Sequence, residues 1–216
     1  MKKWLPFLVI LGLIIGVSDY LAFPILNKLM FRGEGQAIII VREIIMYFIV
    51  GLGGVYALNK FPEELFFAST SGRRKYARIL AAGLILANTI FYIISITKFD
   101  NKVFVDLLQN NFFGALGIAV RSGITEELIF RFFLINSILF VGSGMTGNPR
   151  KLKITAIIIS GIAFVFIHPI NSAVVTLTSG LILGYIYFEL GLVSAIFTHI
   201  FSNLIPFILI ALKIIG

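Results

Sequence analysis

Glu126, His168, His199 and Asn203 have the side-chain types that peptide hydrolysis needs, and they fall in three short clusters in the second half of the 216-residue chain. The first cluster reads Arg121-Ser-Gly-Ile-Thr-Glu126-Glu127-Leu-Ile-Phe-Arg131, within an apolar run. Glu127 and Arg131 are four residues apart, on one helical face, and are placed to pair. Glu126 lies about 100° round the helix and is predicted to face elsewhere. A carboxylate in apolar surroundings without its own cation suits a general base. The same four charges also read as one buried structural network.

The only two histidines lie in the other clusters. Phe164 is four residues before His168, so the two rings share a helical face, and Pro169 follows where the helix loosens. His199 and Asn203 are also four apart and point one way. A single histidine within an apolar span often serves only as a contact between helices. A carboxylate, two imidazoles and an amide at one buried level have few uses. In one, Glu126 takes a proton from a water that His168 orients, and His199 and Asn203 donate hydrogen bonds to the oxyanion of a peptide carbonyl. In the other, Glu126, His168 and His199 bind zinc. No HExxH pattern is present and each candidate ligand comes from a different helix, so the sequence permits zinc without demanding it.

The elements that carry these residues follow from composition. Hydrophobic residues make up 59% of the chain and charged residues 13%, against about 45–50% and about 25% in soluble domains. Apolar stretches near the ~20 residues needed to cross a bilayer as a helix recur at about 4–26, 37–58, 78–97, 112–142, 154–170, 173–190 and 192–213. The run 112–142 is long enough for one tilted helix or a short helix joined to a full one. The expected fold is therefore all-α, a polytopic transmembrane bundle of seven to eight spans enclosing a polar cavity, with residues 1–216 forming one domain. Four charges in one span cost on the order of +12 kcal/mol, more than its apolar side chains return, so this helix must face other helices rather than lipid.

No cysteine occurs, which excludes disulfides, thiolate metal sites and a cysteine nucleophile. The net charge of +8 reads as topology signals and lipid contacts rather than a nucleic-acid surface. Alternating the seven spans places Lys2, Lys3, Lys60, Arg73, Arg74, Lys75, Arg78, Arg150, Lys151 and Lys153 on one side. Lys28, Arg32, Lys98, Lys102 and Lys213 fall on the other. This asymmetry predicts a cytoplasmic N-terminus. Lys2 and Lys3 before an apolar run resemble a signal peptide, but apolar character continues to about Leu26 with no clear cleavage site, so a retained first helix is expected. With this topology Glu126, His168, His199 and Asn203 stand roughly 24, 21, 12 and 18 Å from the cytoplasmic ends of their spans, and can share one depth. Asp19 and the Arg42-Glu43 pair read as structural contacts, and Gly51, Gly53 and Gly54 as close packing points between helices.

Glu126-Glu127-x-x-x-Arg131, Phe164-x-x-x-His168 and His199-x-x-x-Asn203, in this order, resemble the three motifs of the CPBP family, the CAAX-protease and bacteriocin-processing (Abi) intramembrane endopeptidases. The resembling core runs from about 112 to 210. It implies that Glu126 is the catalytic glutamate, His168 its water-activating partner, and His199 with Asn203 the oxyanion pair, with Glu127, Arg131 and Phe164 in support. It further implies glutamate-dependent hydrolysis without an obligatory metal. The implied partners are the lipid bilayer and a peptide or protein substrate entering from the membrane or cytoplasmic side, with no nucleic acid. The short Ile-, Phe- and Lys-rich chain looks bacterial, which suggests the cytoplasmic membrane and roles in peptide or bacteriocin processing or self-immunity. A non-catalytic membrane immunity protein and a proton-coupled transporter are the competing classes, and both would keep these residues without cleaving a peptide.

Overall fold

A long apolar segment in a bilayer has no water for its backbone N–H and C=O groups, so it satisfies them internally as a helix. The computed structural model describes residues 4–29, 35–60, 70–98, 102–109, 111–145, 148–169 and 172–215, and there the ordered elements are helical. Lys2, Lys3 and Arg32, used above for topology, lie outside the described residues.

The helices are α1 (Leu5–Leu29), α2 (Gln36–Leu58), α3 (Ser71–Lys98), the short α4 (Lys102–Leu108), α5 (Phe112–Glu127), α6 (Asn136–Ser143), α7 (Pro149–Phe166), α8 (Ala173–Leu190) and α9 (Leu192–Ala211). Between α5 and α6 the chain stays helical but widens to a π-helix over Leu128–Ile135. The run predicted at 112–142 is thus one unbroken helix. Five helices, α1, α2, α3, α8 and α9, are long and apolar enough to cross a membrane by length and composition. The α5–α6 run carries the buried charges, and α7 begins with a basic turn.

Local chemistry sets the ends. Asn148 accepts a hydrogen bond from the Lys151 amide at 3.0 Å and Pro149 occupies the first turn of α7, both features that start a helix. The same helix stops at Phe166, ahead of Pro169, because a proline disfavours helical backbone in the residue before it. His168 therefore stands just beyond α7 rather than on it, a difference from the span expected at 154–170. Its ring still lies 4.5 Å from that of Phe164, centroid to centroid.

The α5 helix runs through the centre, packed against α1 on one side and α9 on the other. Small residues allow the approach. At Gly123 an added Cβ would run into the Ile200 side chain and lie 2.9 Å from the Ile200 backbone nitrogen. At Gly54 it would lie 2.8 Å from the Phe132 carbonyl oxygen, so this residue is a close contact between α2 and the π-helix. Gly51 meets Leu8 and Gly53 meets Phe133 in the same manner. Within the π-helix the Phe130 carbonyl accepts a hydrogen bond from Ser160 of α7 at 2.8 Å.

Arg121 ties the two N-terminal helices to α5. Its Nε lies 2.7 Å from Asp19 Oδ1 on α1 and a terminal nitrogen lies 2.7 Å from Glu43 Oε2 on α2. Asp19 and Glu43 are buried. The four charges read above as one possible network are therefore divided: Arg121 belongs to this strap, and Glu127 with Arg131 to another centre.

Gly123→Val should lower stability by about 1–3 kcal/mol, the usual result of forcing extra methyl groups into a packed contact. Gly72→Ala, where a Cβ meets nothing within 4 Å, should not lower it. Thermal unfolding of both variants in one detergent checks the pair.

Candidate active site

Arg131 carries a charge into full burial, with 0% of its side chain exposed, and Glu127 one turn before it is equally buried. Arg131 Nε lies 3.2 Å from Glu127 Oε2, and a terminal nitrogen donates to the Gly180 carbonyl of α8 at 3.2 Å. The guanidinium carbon stands 4.6 Å from the centroid of the Phe164 ring, close enough for cation–π attraction. A buried pair of this kind holds only while both members remain, because either alone is an uncompensated charge in an apolar bundle.

The second oxygen of Glu127 reaches across to α9, where Oε1 lies 2.9 Å from His199 Nδ1. A carboxylate accepts, so Nδ1 carries the proton and Nε2 faces the other way. His168 is set likewise, its Nδ1 lying 2.8 Å from the Phe164 carbonyl oxygen. A carbonyl can only accept, so the proton is on Nδ1 and the neutral ring presents Nε2 as an acceptor. Phe164 holds the two rings in place, with centroids 4.5 Å from His168 and 5.7 Å from His199.

Both Nε2 atoms turn toward Glu126. Its Oε2 lies 3.6 Å from His168 Nε2 and 3.7 Å from His199 Nε2. That oxygen is buried and makes no hydrogen bond among the described residues. Glu126 points in a different direction from Glu127, yet the adjacent carboxylates approach opposite nitrogens of one imidazole, that of His199. A single ring placed beside α5 can meet both residues because they differ by only about 100° around the helix.

Asn203, one turn beyond His199, donates from Nδ2 to Ser122 Oγ at 3.0 Å. Ser122 was not identified from the sequence. It lies four residues before Glu126, a spacing that puts it on the Glu126 face, but only the approach of α9 reveals the contact. His168, His199, Asn203 and Phe164 line a cavity of about 410 Å³ bounded also by α3 and α8. Glu126 is set behind the two imidazoles and is not among the lining residues.

Residues 106–205, the stretch that holds all of these groups, match the family model of type II CAAX prenyl endopeptidase Rce1-like proteins. The match covers a little under half of the chain, and over that stretch the chain is similar to the CPBP family. At the family level it is an intramembrane protease of the CAAX type, and its apolar helices are those of an integral membrane protein. No curated protein and no solved structure matches the chain.

Within the matched stretch, Glu126, His168 and His199 carry donor atoms of the kinds zinc accepts. Among the described residues, however, no three His, Cys, Asp or Glu side chains are arranged to hold one metal ion.

Arg131→Met should cost about 3–5 kcal/mol, because it leaves Glu127 buried without its cation. Glu127→Gln combined with Arg131→Met should recover part of that loss. A double-mutant cycle on detergent-purified protein, read by thermal unfolding, measures the coupling.

Proposed function

We propose that this protein is a glutamate-dependent intramembrane endopeptidase in which Glu126 activates water against a peptide carbonyl, with no metal required. The observation that carries the reading is the state of the Glu126 carboxylate. A purely structural glutamate in a bilayer would be paired, as Glu127 is. Glu127 faces the Arg131 guanidinium at 3.2 Å, whereas the buried Oε2 of Glu126 faces two imidazoles beside a cavity, 3.6 Å from His168 Nε2 and 3.7 Å from His199 Nε2.

The step assigned to each group follows from its hydrogen bonding. Glu126 Oε2 and His168 Nε2, 3.6 Å apart, are two acceptors too far apart to bond directly, and one water can reach both with its two hydrogens. Glu126 takes one proton as the water oxygen attacks, and His168 holds the other and so fixes the direction of attack. His199 and Asn203 donate to the developing oxyanion. For His199 this requires a proton on Nε2 as well as Nδ1, and Glu127 at 2.9 Å supplies the counter-charge. Asn203 keeps its amide aimed through Ser122. The proton held by Glu126 then passes to the leaving amine.

The substrate class follows the family model's name, a prenylated CAAX peptide, or in a bacterial setting a peptide of bacteriocin processing or self-immunity. The asymmetry of the basic residues supports an N-terminus on the cytoplasmic side of the membrane, and the Ile-, Phe- and Lys-rich composition supports a bacterial one.

Glu126→Gln and His168→Ala should each lower kcat by about 10²–10⁴, the usual contribution of a positioned acid–base group, with thermal stability near that of the parent. Cleavage of a prenylated CAAX peptide by purified protein in detergent is the assay. Full activity in both variants contradicts the reading. In the same assay a chelator should leave activity intact, and loss in chelator with recovery on adding zinc would contradict the metal-free mechanism.

A further inference from the structure

The cavity holds polar groups that the hydrolytic step does not use. Ser172, Thr176 and Ser179 stand at the start and along one face of α8, Asn88 and Ser95 on one face of α3, and all five line the cavity. In each stripe the outer members are seven residues apart, about 10 Å along a helix. That is the length of about three residues of extended chain. The helices run antiparallel, with Arg73 near the start of α3 3.9 Å from Glu189 near the end of α8.

Ser95 is the informative member. It is only 4% exposed, and its hydroxyl has no hydrogen-bond partner among the described residues. A helical serine or threonine in apolar surroundings has a ready partner in the carbonyl four residues back. Thr89 on the same helix and Ser202 on α9 use it, at 2.9 and 2.8 Å. Ser95 does not, so a buried hydroxyl at the cavity wall remains able to bond a ligand.

A peptide cut inside a bilayer must leave its helix before a water can reach a carbonyl. Each unwound residue then presents an N–H and a C=O to apolar surroundings, which is unfavourable unless the enzyme pairs them. Soluble proteins often hold an extended peptide by adding it to a sheet edge. This chain has no strand among the described residues, so side chains must take that part. We infer that the α3 and α8 stripes form a track for the backbone of an unwound apolar peptide, about three residues long, with Ser95 as its principal contact. The track reads main-chain groups, so it tolerates varied side chains. The inference rests on the protease reading of the Glu126 site.

Ser95→Ala in the full chain separates this role from a structural one. With a fluorescein-labelled prenylated CAAX peptide, KM should rise about three- to tenfold, the effect of one lost hydrogen bond, with kcat within about twofold. The melting temperature should stay the same or rise, since alanine removes an unpaired buried hydroxyl. A lower melting temperature with unchanged KM overturns the assignment. Replacing single backbone amides of the peptide by esters sharpens the test. At one position the ester should raise KM severalfold for the parent protein and leave Ser95→Ala unaffected, whereas an equal effect on both proteins at every position overturns the track. If the parent neither binds nor cleaves the peptide, the protease reading fails and this inference with it. If the parent cleaves and KM is unmoved by Ser95→Ala, only the track fails.

Discussion

A guanidinium in the centre of an apolar bundle must be answered wherever it points, and Arg131 is answered by three elements. Glu127, one turn before it, supplies the charge at 3.2 Å, Gly180 of α8 a carbonyl, and Phe164 of α7 its ring face. Glu127 in turn holds His199 of α9 by Nδ1. Helices in a bilayer gain little from hydrophobic association, so packing and polar contacts decide how they assemble. The Glu127–Arg131 pair thus fixes where α7, α8 and α9 stand around the central helix, and with them the two imidazoles.

From that constraint two neighbouring glutamates acquire different uses. Glu127 is consumed by its partners, one oxygen to Arg131 and one to His199. Glu126 is left with an oxygen near both Nε2 atoms and bonded to neither. The division depends on the helix geometry, which turns one residue toward the pair and the next toward the gap between the rings. The N-terminal helices act at a distance: through Arg121, α1 and α2 are pinned to the helix that carries both glutamates.

Much of this was legible in the sequence, because hydropathy and four-residue spacings are local properties. Seven apolar runs anticipated the seven long helices of the described residues to within a few residues at most ends. The largest difference at a helix start, at α3, arises because Ser71–Lys75 are helical but polar, and an apolar window does not register them. The pairing of Glu127 with Arg131 and the contact of Phe164 with His168 were readable for the same local reason. Contacts between helices were not. Asn203 with Ser122, Glu127 with His199, and Arg121 with Asp19 and Glu43 join residues 72 to 102 positions apart, and no periodicity reports which faces meet. The π-helix over Leu128–Ile135 has no composition signal of its own, and within it the Phe130 carbonyl accepts from Ser160.

In the proposed reaction, water activated by Glu126 attacks the peptide directly. A single turnover in ¹⁸O-enriched water, with enzyme in excess over a prenylated CAAX peptide, tests it. Direct attack puts one ¹⁸O in the new carboxylate of the first product and none in the protein. An unlabelled first product with ¹⁸O retained on Glu126 would show a covalent anhydride route and contradict it.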